Sequence, residues 1–84
     1  MHHEYVPRGV CSRKIKFDIE DGKLKNVAFE GGCNGNLKGI GALVEGMDAN
    51  ECISRISGIR CGMKNTSCPD QLARALRAAV SEQA

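Results

Sequence analysis

Eighty-four residues with 42% apolar content make one small domain, residues 1–84, near the size where a single core needs a covalent or metal cross-link. The net charge is only +2, with Lys and Arg interspersed among Asp and Glu, so the basic run that would mark a nucleic-acid or membrane-surface protein is missing. No segment approaches the roughly 18 consecutive apolar residues of a membrane span.

Met1 to Val10 reads as an irregular arm, punctuated by Pro7 and Gly9. His2 and His3 are expected to be mobile and solvated there rather than metal ligands. Nothing in this arm resembles a signal peptide, so a cytoplasmic location is expected. In that reducing setting the five cysteines are expected to act as ligands or catalysts rather than as structural disulfides.

From Ser12 to Glu20 the chain alternates, with Ile15, Phe17 and Ile19 on one face and Lys14, Lys16 and Asp18 on the other, which predicts a half-buried strand. Asp21-Gly22 is a tight-turn signal, and Leu24 to Glu30 gives a second strand in which Val27 and Phe29 share a face. The two strands form an antiparallel hairpin that brings Cys11, before it, and Cys33, after it, to the same end of the sheet.

Gly31-Gly32-Cys33-Asn34-Gly35-Asn36 reads as a tight loop. It lacks the endings of a P-loop or a dinucleotide-binding turn, so phosphate is not its expected ligand. A helix follows, with Leu37, Ile40, Leu43, Val44 and Met47 at helical spacing, and close packing against a neighbour would explain Gly39 and Gly41 within it. Asp48 and Glu51 resemble a capping box opening a second helix over residues 49–57, stopped by Gly58. Cys52 lies on its apolar side with Ile53 and Ile56 and is expected to pack as a small hydrophobe.

The last helix is predicted over residues 69–81. Leu72, Leu76, Ala79 and Val80 form its packing face, and Arg74, Arg77 and Glu82 point to solvent. Pro69 suits the first helical position, which puts Cys68 at or next to the N-cap with Gln71 placed to complete a capping box. A sulfur there meets the positive end of the helix, which favours the thiolate. Strands first and helices after imply an α+β fold, a small antiparallel sheet with about three helices on one face. Two strands are too few, which leaves a third strand from the arm near Tyr5, or a homodimer, to complete the sheet.

With Cys52 set aside, Cys11, Cys33, Cys61 and Cys68 remain in a C-x21-C-x27-C-x6-C pattern. The spacing is not that of a zinc ribbon, yet each cysteine lies in a loop or at an element end, and four thiolates suit zinc or an iron–sulfur cluster. Covalent catalysis would need a base beside the nucleophile, and the two histidines are both in the arm, so no catalytic residue is assigned. Cys61 and Cys68 could instead run thiol–disulfide exchange as a redox pair.

Thr66-Ser67-Cys68-Pro69-Asp70 spells the signature of the TSCPD domain, and the blocks Gly9 to Ser12, Gly31 to Ile40 and Gly58 to Gly62 also resemble that family, in order and over nearly the whole chain. The family comprises small stand-alone proteins and a similar domain at the C-terminus of adenosylcobalamin-dependent ribonucleotide reductases. The resemblance implies zinc bound by Cys11, Cys33, Cys61 and Cys68, and a protein partner such as a ribonucleotide reductase. It does not imply an enzyme in its own right: eighty-four residues do not house nucleotide and cobalamin sites with a radical-bearing barrel. Any ribonucleoside-diphosphate reductase label would come by association.

A fainter resemblance is to iron–sulfur cluster assembly scaffolds, which place cysteines before a hairpin, after it and at the last helix, as Cys11, Cys33 and Cys68 stand here. Arg13 replaces the scaffold's acidic residue, and Ser67 its histidine. The expectation is therefore a metal-binding accessory or interaction module. The alternatives are a thiol redox or iron–sulfur carrier and, third, a zinc-dependent nucleic-acid-binding domain.

Overall fold

A computed structural model describes residues 2–10, 12–31 and 34–83, without the side chains of Asn34, Glu82 and Gln83. Cys11 and Cys33 therefore lie outside the described residues, as does the expected solvent-facing side chain of Glu82. Strands β1 (His2–Tyr5), β2 (Ser12–Glu20) and β3 (Lys23–Gly31) are followed by helices α1 (Asn34–Val44), α2 (Ala49–Ile56) and α3 (Cys68–Gln83). The sheet is antiparallel in the order β1-β2-β3. The α+β expectation holds, and the arm supplies the third strand.

That strand corrects the reading of the histidines as mobile. His2 pairs with Asp18 across the sheet; its ring nitrogens lie 2.8 Å from the Asp18 carboxylate and 3.2 Å from that of Glu4. Asp18 first and Glu4 second raise the His2 pKa above its ordinary value. The His3 ring stacks on Phe17 with centroids 5.3 Å apart. Strand pairing to a charged partner strand orders what local sequence left open.

The hairpin turns through Asp21 and Gly22, both at positive φ (52° and 77°), and Glu20 pairs directly with Lys23. Such a two-residue turn matches the twist of the flanking strands. In β3, Asn26 sits at φ 55°, and two residues, Asn26 and Val27, stand opposite Phe17 alone. This bulge resets the alternation, so that Leu24 and the Val27/Phe29 pair all reach the core despite their odd spacing. Asn26 is fixed by its N–H, donated to Glu45 Oε1 at 2.8 Å, and its side-chain amide, donated to Asp18 at 2.9 Å.

Ile15, Phe17, Ile19 and Leu24 meet Val44, Cys52, Ile53, Leu72, Leu76 and Ala79 in one core. Cys52 is fully buried, and burial pushes its thiol pKa up to about 11, so it packs as the small hydrophobe expected. The opposite sheet face carries Lys14–Glu4 and Lys16–Glu30 ion pairs at 3.2 and 2.6 Å.

The helices differ from expectation in detail. α1 begins at Asn34, so the predicted loop through Asn36 is shorter, and Leu43, expected on the packing face, is 79% exposed. Met47 lies beyond the helix, in the connector that hydrogen-bonds to the start of β3 through Leu24. At α2, Asp48 caps by accepting from the Glu51 N–H at 3.0 Å, but the Glu51 carboxylate turns to Arg55 instead of closing the box. The helix ends at Ile56, with Gly58 at φ 82° just beyond.

The two helix glycines separate. A Cβ on Gly41 would stand 2.9 Å from the Val27 carbonyl oxygen, whereas one on Gly39 would meet nothing within 4 Å. Gly39→Ala is therefore expected to stabilise the protein by about 0.5–1 kcal/mol through helix propensity. Gly41→Ala is expected to destabilise it by about 1–3 kcal/mol, because a backbone oxygen cannot yield cheaply. Thermal melting of the two variants checks the opposite signs.

Candidate functional site

The signature Thr66 to Asp70 lies where α3 begins, and each side chain has its own part. Ser67 is the N-cap: its Oγ accepts from the Asp70 N–H at 3.1 Å, and its carbonyl accepts the first helical bond from Gln71 at 2.8 Å. Cys68 is thus the first helical residue, next to the N-cap as expected, and Pro69 the second, so α3 starts one residue earlier than a proline at the first helical position implied. Cys68 is half-buried, with its Sγ 3.3 Å from the hydroxyl of Ser12 at the start of β2.

Asp70 is buried, with 5% of its surface exposed. Its Oδ1 accepts from the Gly58 N–H at 2.7 Å, and its Oδ2 accepts from the Thr66 hydroxyl and meets Arg74 at 3.2 Å. The Thr66 hydroxyl, helped by the Gly58 N–H and Arg74, holds the carboxyl below its ordinary range against the opposing effect of burial. Gln71, expected to close a capping box, does something else. Its amide donates to Thr66 Oγ1 at 2.9 Å, and its Oε1 accepts from the Arg8 N–H at 3.1 Å.

These bonds join three stretches of chain. Residues 58–65 form an exposed loop pinned at one end by Gly58 to Asp70 and at the other by the buried Thr66, and closed on itself by the Cys61 N–H donating to the Thr66 carbonyl at 3.1 Å. Cys61 stands exposed in that loop. The arm runs alongside: Gly9, at φ 74°, has room for a Cβ only 3.3 Å from the Thr66 methyl. Gly31 pairs with Ser12 at the same end of the sheet.

Of the four predicted ligands, Cys68 is placed against Ser12 at the start of β2 and Cys61 stands in the exposed loop tied to Thr66, while Cys11 and Cys33 lie outside the described residues. A Cβ on Gly9 would stand 3.3 Å from the Thr66 methyl, and the Ser12 hydroxyl lies 3.3 Å from Cys68 Sγ. Gly31, two residues before Cys33, pairs with that same Ser12. Among the described residues no group of three or more His, Cys, Asp or Glu is close enough to hold a metal ion. The thiol chemistry of the four cysteines fits zinc or an iron–sulfur cluster, and Cys68 brings a sulfur at a helix N-terminus.

Sequence reasoning gave no part to Ser12, Thr66 or Arg8, and placed Gln71 only as a capping-box partner and Asp70 only within the signature, without their bonds to Gly58, Thr66 and Arg8. A signal for part of this was present: Ser67-Cys68-Pro69-Asp70 is itself a capping pattern, one residue ahead of the one read from Pro69.

A three-stranded antiparallel sheet followed by three helices defines a small α+β domain. The chain belongs to the TSCPD domain family, which it matches over residues 1–80. No curated protein and no solved structure matches it. Among the described residues no helix is long and apolar enough to cross a membrane.

Proposed function

We propose that this protein is a metal-binding TSCPD module that holds zinc through Cys11, Cys33, Cys61 and Cys68. It serves as an accessory or interaction domain for a protein partner in deoxyribonucleotide synthesis, a ribonucleotide reductase by the family resemblance. The observation that carries the metal reading is the 3.3 Å contact between Ser12 and Cys68, because it ties the residue next to Cys11 to the thiol that opens α3. Gly31, two residues from Cys33, is paired to the same Ser12. The donors are all thiolates, a set that suits zinc in a closed tetrahedral site. The interaction role rests on the family resemblance; the apolar groove lined by Ile40, Leu43, Met47, Ile56 and Ile59 is the surface such a contact would use.

Metal analysis and visible absorption of protein purified without oxygen test this reading. A colourless protein with one zinc per chain is the expected result. A coloured, iron- and sulfide-containing protein, or one without metal whose Cys61 and Cys68 form a reducible disulfide, would replace zinc with the carrier or redox alternative.

A further inference from the structure

The buried polar residues around the start of α3 are more than a helix cap. We infer that Asp70, Thr66 and Gln71 are positioning residues of the cysteine site, clamping the Cys61 loop and the arm leading to Cys11 against Cys68; this rests on the metal reading above. Asp70 reaches both ends of the loop, with one carboxylate oxygen on the Gly58 N–H at 2.7 Å and the other on the Thr66 hydroxyl. Gln71 reaches the arm through the Arg8 N–H at 3.1 Å and returns to Thr66 at 2.9 Å. Thr66 is the hub, since its hydroxyl donates to Asp70 and accepts from Gln71 while its carbonyl holds the Cys61 N–H at 3.1 Å.

An ordinary helix start needs none of this. Ser67 already caps α3, through its side chain to Asp70 N–H at 3.1 Å, leaving the Asp70 carboxylate and the Gln71 amide free for other partners. Both are instead spent on backbone N–H groups outside the helix, at Gly58 and Arg8, and both residues are buried. Burying an acid and an amide is costly unless every bond is made, so the arrangement holds the loop and the arm in one geometry. Groups that orient ligands from behind in this way typically control roughly 10–100-fold of metal affinity.

The test compares wild type with Thr66→Val, which removes the hydroxyl at nearly constant volume, with Thr66→Ser, which restores it, and with Asp70→Asn. Zinc affinity is measured by chelator competition on the full chain, and amide hydrogen exchange is followed in the metal-free protein. Thr66→Val is expected to bind zinc roughly 10–100-fold more weakly, to exchange faster at residues 8–10 and 58–66 only, and to be rescued by Thr66→Ser. If Asp70→Asn does not fold, Thr66→Val carries the test alone. Faster exchange with unchanged zinc affinity would make the network merely structural and overturn the inference, as would unchanged exchange. Wild-type protein that takes up no zinc would overturn the metal reading and this inference with it, an outcome distinguished by the wild-type measurement itself.

Discussion

Exchanging Cys68 for serine is expected to abolish stoichiometric zinc binding while leaving the metal-free fold close to wild type. Serine keeps the hydrogen-bonding contact with Ser12, 3.3 Å away, and the side chain is only half-buried, so little packing is lost. A hydroxyl, however, is not a thiolate. A structural zinc site contributes roughly 10–16 kcal/mol of apparent binding free energy. Losing even a quarter of the lower figure weakens affinity by about sixtyfold. Cys52→Ala provides the contrast: with its thiol fully buried in the core, its loss should cost on the order of 1 kcal/mol of stability and no zinc. Metal content and melting temperature of the two variants, measured side by side, decide it. Equal zinc in Cys68→Ser and wild type would remove Cys68 from the ligand set.

The second large effect is in the core. Phe17 is 1% exposed and packs at the centre of the sheet face, so Phe17→Ala is expected to cost about 3–5 kcal/mol. Small domains have roughly 5–15 kcal/mol in total, and one of this size sits toward the low end. The variant should therefore be largely unfolded at 37 °C in the presence of a chelator. Zinc binds only the folded chain in this reading, so excess zinc should raise its melting temperature and restore the helical circular dichroism. A Phe17→Ala protein that melts like wild type in chelator would contradict the packing. One that gains nothing from zinc would contradict the coupling of metal to folding.

Much of this was readable before any coordinates. Alternation of Ile15, Phe17 and Ile19, the Asp21-Gly22 turn and the Asp48 cap are local signals, and each produced its element in place. What depends on distant partners was left open, as with the third strand the arm could supply, or was missed. Strand β1 has no alternation of its own and forms because β2 offers Asp18 to His2 and Phe17 to His3. Leu43 has the right spacing for the packing face of α1, yet it stays exposed while Val44 beside it is buried. In the candidate site, the family signature pointed to Cys68, whereas the roles of Thr66, Asp70 and Gln71 come from bonds to Gly58 and Arg8 that no local pattern encodes. Asn26 looks like an interruption of a strand until the bulge shows that it corrects the register.

The bonds from Ser12 to Cys68 and from Arg8 to Gln71 span 56 and 63 positions of chain, while the hairpin pairs close neighbours. Closing loops of that length costs entropy before any contact rewards it, so these bonds are expected to form after the hairpin and to open before it, which amide hydrogen exchange at residues 8–10 against 14–30 would show. The hairpin can therefore stand while the thiol end is loose. Cys68, half-buried in the closed fold, gains exposure in such an opening, whereas Cys61 is exposed already, so oxidants should reach the two sulfurs unequally while the contact with Ser12 is closed.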